Sequence, residues 1–176
     1  MCTIKLIKPS IEYSQDILKF RQELIEQNDN DRFAGCFNLE KCSSAEEWIQ
    51  TIHILENDET CPKDKVPSDI YIAVRISDHK IVGVIDFRHH INHPILRVWG
   101  GHIGYSVRPD ERKKGYATEM LKQNLHNCRR YGLDKVMITC NVDNIASEKT
   151  ILANGGVFEK EICVDDTKMK RYWIQL

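Results

Sequence analysis

The residues with the most evident chemical potential form one short turn, Arg112-Lys113-Lys114-Gly115-Tyr116-Ala117. The turn follows a strand-like stretch stopped at Pro109 and opens a strongly amphipathic helix. A helix start presents unpaired N–H groups and a partial positive charge, so it is a natural anion site. Gly115 lets the backbone approach a ligand with no Cβ in the way, and Ala117 keeps the next turn similarly open. Arg112, Lys113 and Lys114 add formal positive charge beside it. The physical expectation is a phosphate or pyrophosphate cradle. Taken alone, the hexamer reads better as a basic corner in which the glycine only makes the bend. Neither G-x-x-x-x-G-K-[ST] nor G-x-G-x-x-G occurs, so nucleotide hydrolysis and hydride transfer lose support.

Other clusters are weaker. His89, His90 and His93 lie close together, and imidazoles can bind zinc or nickel. Adjacent histidines on an extended segment point to opposite sides, however, so a polar loop is the better reading and no metal is expected. The seven cysteines are odd in number and lack CxxC spacing, which predicts reduced thiols rather than a disulfide framework. Cys128 and Cys140 fall on apolar faces and read as small hydrophobes.

The elements that must position the turn follow from periodicity. Thr3 to Ile7 alternates as a short strand, and Ser10 reads as the N-cap of a helix carrying Tyr13, Ile17, Phe20 and Leu24. A loop, Asn28 to Lys41, precedes a capping-box pattern at Ser44 and Glu47 and a second helix with Ala45, Trp48, Ile49, Ile52 and Leu55 on one face. From Asp69 the period changes to two, and the turn Ser77 to Lys80 joins two strands as a hairpin. Gly100 to Val107 reads as the next strand. The clearest helix follows, with Ala117, Met120, Leu121, Asn124, Leu125, Cys128 and Tyr131 on one face and Gly132 as terminator. A strand at Val136 to Cys140, a short helix capped by Asn144, and strands at Val157 to Val164 and Lys170 to Ile174 complete the chain. The order predicts one α/β domain over 1–176, mostly antiparallel with one βαβ crossover.

Composition agrees with a folded chain: 176 residues, 41% hydrophobic and 29% charged, too apolar for disorder. No apolar run approaches the ~20 residues of a membrane span, and Met1 to Pro9 lacks the apolar stretch of a signal peptide. The net charge of -1 gives no field to recruit nucleic acid or an anionic membrane, and a cytoplasmic protein is expected.

The run GGHIGYSVRPDERKKGYATEML, followed by ITCNVDNIASEKTILANGGVFE, resembles the GNAT superfamily of acyl-CoA-dependent N-acetyltransferases. The resemblance implies a mixed, mostly antiparallel twisted sheet, splayed between strands four and five and flanked by helices. In that family Q/R-x-x-G-x-G/A follows the fourth strand and binds the coenzyme A pyrophosphate. Here the motif is Arg112 to Ala117, with Ala in the second small position.

The implied cofactor is acetyl-CoA, as acetyl donor. Main-chain groups of Tyr105, Ser106 and Val107 would pair with pantetheine, and amides from Lys113 to Thr118, including Tyr116, would hold the pyrophosphate. Asn144 matches an Asn that contacts pantetheine, besides being an N-cap, and Lys149 would reach the adenosine phosphates. Many members carry a Tyr on the helix after strand five as general acid; here that position is Ile151, so Ser147 is the candidate replacement. Relatives of the ribosomal-protein acetylating type often place a Glu before I-G-Y; His102 holds that place and is the candidate base. Glu111, on the phosphate side, is a poorer base, and deprotonation through water is the alternative. The resemblance sets Arg88, His89 and the Asp165-Asp166 turn near the acceptor cleft. The implied acceptor is a small-molecule amine or a peptide N-terminus, and the C-terminal strand offers an edge for a homodimer. A non-catalytic acyl-CoA-binding protein of the same fold is the alternative.

Overall fold

The computed structural model describes residues 3–27 and 33–176. Residues 28–32 of the predicted loop, with Asp29, Asp31 and Arg32, lie outside the described residues, as does Cys2. Among the described residues, seven strands and four α-helices follow the predicted order: β1 (Ile4–Ile7), α1 (Ser14–Gln27), α2 (Ala45–Ile54), β2 (Ser68–Arg75), β3 (Ile81–Arg88), β4 (Tyr105–Val107), α3 (Tyr116–Tyr131), β5 (Lys135–Asn141), α4 (Ile145–Ala153), β6 (Val157–Val164) and β7 (Thr167–Gln175). They form two antiparallel sheets, β1-β2-β3-β4 and β5-β7-β6. The C-terminal strand β7 is therefore internal, and the exposed edge belongs to β6, contrary to the expected edge at the C-terminus.

Two apolar layers sandwich the first sheet. Ile17, Phe20 and Leu24 of α1 and Trp48 and Ile52 of α2 cover Ile70, Ile72, Val74 and Val84 on one face. Met120, Leu121 and Cys128 of α3 cover Ile4, Val82, Ile85 and Phe87 on the other. Burial on both faces explains why β3 reads as a continuous apolar run interrupted by one acid, Asp86. Ser44 caps α2 by accepting the Glu47 N–H at 3.1 Å, while the Glu47 carboxylate takes the Ser43 N–H at 2.7 Å, one residue before the usual partner. Ser10 makes no side-chain cap; a 3₁₀ turn over Ile11–Tyr13 precedes α1 instead.

The strand expected over Gly100 to Val107 is shorter. A π-helical turn occupies Leu96–Gly100, and Gly101 bends the chain with φ 65°. At Gly104 the ladder to β3 loses one of its two bonds: the Gly104 N–H goes to the Asp86 carboxylate at 2.6 Å and the Asp86 carbonyl accepts from Asn124 Nδ2 at 2.9 Å, while the Asp86 N–H still reaches the Gly104 carbonyl. On the other side, His102 N–H bonds the Met137 carbonyl of β5 at 2.8 Å. Beyond His102 the chain segments part, since β4 pairs only with β3 and β5 only with β7. Among the described residues no helix is long and apolar enough to cross a membrane.

Candidate active site

The site grows from the turn that follows β4. Arg108 is fully buried, its guanidinium against Asp16 at 2.7 Å, Glu23 at 2.7 Å and the Ile81 carbonyl at 2.7 Å. It fastens the end of β4 to α1. A 3₁₀ turn over Pro109–Glu111 follows, and Lys113 (φ 61°) and Gly115 (φ 84°) both take the left-handed conformation before α3 begins. The Glu119 N–H meets the Gly115 carbonyl at 3.2 Å. The helix amides ahead of it, Tyr116, Ala117 and Thr118, have no intrahelical acceptor, and a Cβ at Gly115 would meet nothing within 4 Å. Open space above unpaired amides at the positive end of a 16-residue helix fits an anionic group.

The basic triplet does not act as three equal charges. Lys114 Nζ lies 2.8 Å from Glu111, and Arg112 Nε donates to the Val107 carbonyl at 3.2 Å, while Lys113 is exposed. Glu111 is buried and also paired with Arg75 at 2.9 Å and Lys80 at 2.8 Å. Burial would raise its pKa, but hydrogen bonds from Lys114, Lys80 and Arg75 override it and hold the carboxylate at about 2. So weak an acceptor of protons is a poor base, and its place is to pin the cradle to the β2–β3 hairpin.

Hydrogen-bond phase decides which groups of β4 face the gap. The Asp86 N–H reaches the Gly104 carbonyl at 3.0 Å and the Arg108 N–H reaches the Val82 carbonyl at 2.9 Å. Alternation then turns the Ser106 main chain toward β3, and the main-chain groups of Tyr105 and Val107 away from it. Of the three residues expected to hold pantetheine, Ser106 is therefore corrected: its main chain serves β3, and its buried hydroxyl donates to the Ala34 carbonyl at 2.7 Å.

Across the gap, the Asn144 side chain caps α4, accepting the Ser147 N–H at 3.0 Å. Ser147 Oγ lies 2.8 Å from the Tyr105 hydroxyl. Sequence reasoning gives Tyr105 only a main-chain role; this contact joins residues 42 positions apart, and no local pattern announces it. Ile151 is fully buried in the core, so its position does not face the gap. Lys149 is exposed on α4.

His102 does not suit the role of base. Its Nδ1 accepts the Met137 N–H at 2.9 Å, which in the neutral ring places the proton on Nε2 and leaves no free lone pair. Burial, aided by the charges of Arg88 and His90, pulls its pKa down to about 4. The imidazole is a clip between β4 and β5.

The histidine-rich loop is individually occupied. His89 pairs with Asp69 at 2.8 Å and stacks on Tyr131, while His90 and His93 accept main-chain N–H groups from Asn92 and Ile95 at 3.2 Å. Arg88 is held by Asp86 at 3.0 Å and by the Gly100 carbonyl at 2.9 Å. Asp165 and Asp166 make the β6–β7 turn, both at positive φ. Among the described residues no three His, Cys, Asp or Glu side chains converge to hold a metal, and none of the six described cysteines forms a disulfide.

The Acetyltransferase (GNAT) domain family matches residues 14–157. No curated protein matches the sequence. Among solved structures, the microcin C7 self-immunity acetyltransferase MccE in complex with acetyl-CoA and AMP has a TM-score of 0.69 at 19% identity, over 99% of this chain and 93% of its own. RimL, a ribosomal L7/L12 alpha-N-protein acetyltransferase in complex with coenzyme A, has 0.68 at 17%, over 100% and 96%. The spermidine N-acetyltransferase from Vibrio cholerae, in complex with CoA and spermine, has 0.67 at 14%, over 98% and 95%. At these identities the likeness is one of fold.

Proposed function

Because the chain belongs to the GNAT acetyltransferase family, we propose that it transfers an acetyl group from acetyl-CoA to a primary amine, the amine attacking directly while both are bound. The observation that carries this reading is the open cradle at Gly115, whose left-handed backbone and unpaired helix amides await an anion. Bound acetyl-CoA supplies an acyl carbon attached to a thiol leaving group. The amides from Lys113 to Thr118 hold the pyrophosphate, with Arg112 and Lys113 adding charge and Lys114 tied to Glu111. The gap-facing main chain of Tyr105 and Val107 pairs with pantetheine, beside Asn144, and Lys149 serves the adenosine phosphates.

Strand-edge N–H groups of β4 polarise the thioester carbonyl. Ser147, at the start of α4, protonates the departing sulfur. With His102 committed to Met137 and Glu111 to three cations, amine deprotonation runs through water rather than through either side chain. The acceptor is a small-molecule amine or a peptide N-terminus, the two classes represented by the spermidine and ribosomal-protein enzymes of the same fold. The β6 edge, with Val157 and Phe158 exposed, supports pairing with a second copy.

The test is thiol release from acetyl-CoA against polyamines, amino acids, aminoglycosides and peptides with free N-termini. Amine-dependent release in at least one class is expected. Tight acetyl-CoA binding with no release in any class would contradict catalysis and leave an acyl-CoA-binding protein.

A further inference from the structure

The helix that caps one side of the gap carries no phenol, but the strand on the other side does. Tyr105 projects from β4 into the layer under α3 and α4, and its hydroxyl lies 2.8 Å from Ser147 Oγ and 3.4 Å from the Ser147 carbonyl. Ser147 is fixed at its backbone by the Asn144 cap, but a serine hydroxyl with no further partner samples several staggered positions. We propose that Tyr105 is the positioning residue for Ser147: its phenol donates to Ser147 Oγ, so that the serine's own proton points into the gap toward the sulfur of the acyl donor. This inference rests on the transferase reading above.

The geometry admits that direction of donation, since either hydroxyl of the 2.8 Å pair can be the donor. Burial pushes the Tyr105 phenol well above its ordinary pKa, outweighing the opposing effect of its hydrogen bonds with Ser147 and Thr150, with Cys140 of β5 adding to the rise. A phenol so held stays protonated, and it can give a hydrogen bond but not its proton. Receiving that bond polarises the serine hydroxyl and makes its proton easier to release. As the amine nitrogen bonds to the acyl carbon, the carbon–sulfur bond breaks and its electron pair stays on sulfur. Ser147 Oγ gives its proton to that sulfur, the surplus proton of the newly bonded nitrogen replaces it on Oγ, and Tyr105 keeps its own proton throughout.

Calorimetry with CoA and with desulfo-CoA, which lacks the sulfur, tests this on wild type, Tyr105→Phe, Ser147→Ala and the double variant. Thiol release from acetyl-CoA is followed in parallel, with hydroxylamine as a small acceptor that requires no shaped pocket. CoA affinity should fall about 3- to 10-fold in each single variant and no further in the double, while desulfo-CoA binding stays within about twofold. Thiol release should fall about 10-fold in Tyr105→Phe, about 10- to 100-fold in Ser147→Ala, and no lower in the double. Ser147→Thr, which keeps the hydroxyl, should retain the preference for CoA over desulfo-CoA.

Equal loss of both ligands in Tyr105→Phe, or losses that multiply in the double variant, would overturn the proposal. So would a Ser147→Thr protein without the sulfur preference, an outcome readable even if Tyr105→Phe did not fold. Wild-type protein that binds CoA yet releases no thiol would instead overturn the transferase reading, and the contrast between CoA and desulfo-CoA would still decide the role of Tyr105.

Discussion

The two stretches of chain that flank β4 make opposite demands on their glycines. Upstream, a Cβ on Gly104 would stand 2.7 Å from the Gly35 nitrogen, and one on Gly101 would stand 2.6 Å from the Met137 carbonyl oxygen. Downstream, a Cβ on Gly115 would meet nothing within 4 Å. The upstream glycines are needed by the protein itself, because two backbones pass too close for any side chain. The downstream glycine stands where the fold has left room, above amides it has not paired. One end of β4 is a structural clamp and the other is an open turn, the proposed binding surface, and the same residue type serves both.

Substitutions at the two ends should separate these roles. Gly104→Ala forces backbone against backbone and should lower unfolding free energy by about 3 kcal/mol in urea denaturation, the upper end of overpacking effects. A loss below about 1 kcal/mol would show that the clamp is loose.

The clamp also carries an acid-sensitive element, His102. Its pKa of about 4 in the fold lies below the ordinary 6.5, so between these values the unfolded chain binds the proton and the folded chain does not. Stability should therefore fall as pH drops from 6.5 toward 4, by about 2 kcal/mol from this group. His102→Asn, whose side-chain carbonyl can still accept from Met137, should flatten that part of the pH–stability curve. An unchanged slope in the variant would remove His102 from the clamp.

The smallest stability effect belongs to the open end. Gly115→Ala introduces a Cβ only into a left-handed residue, at a cost of about 1 kcal/mol, and the melting temperature should move by a few degrees. A loss matching that of Gly104→Ala would mean that protein atoms, not a ligand, require the glycine.

Much of this contrast is legible in the sequence. The helix stripe from Ala117 to Tyr131, its Gly132 terminator and the R-x-x-G-x-A turn are local patterns, and local patterns survive folding unchanged. Asn144 as a cap and Asp165-Asp166 as a turn belong to the same class. What the sequence hides is tertiary. Arg112 to Lys114 read as three like charges, whereas Glu111, held by Arg75 and Lys80 of a distant hairpin, also takes Lys114, an anchoring that spacing cannot reveal. The strand over Gly100 to Val107 reads as continuous because its alternation persists while Asp86, a lone acid in an apolar strand, takes the Gly104 N–H out of the ladder. His102 reads as a base by position, and only its bond to Met137 shows where its lone pair goes.

The central claim is that the cradle at Gly115 holds the pyrophosphate of acetyl-CoA. Calorimetric titration of acetyl-CoA into wild type and Gly115→Glu tests it directly, since the new carboxylate fills the open space with a repelling charge. Micromolar binding by wild type, abolished in a variant that still melts cooperatively, is the predicted result. Equal affinity in the two proteins, or no acetyl-CoA binding by wild type, would contradict it.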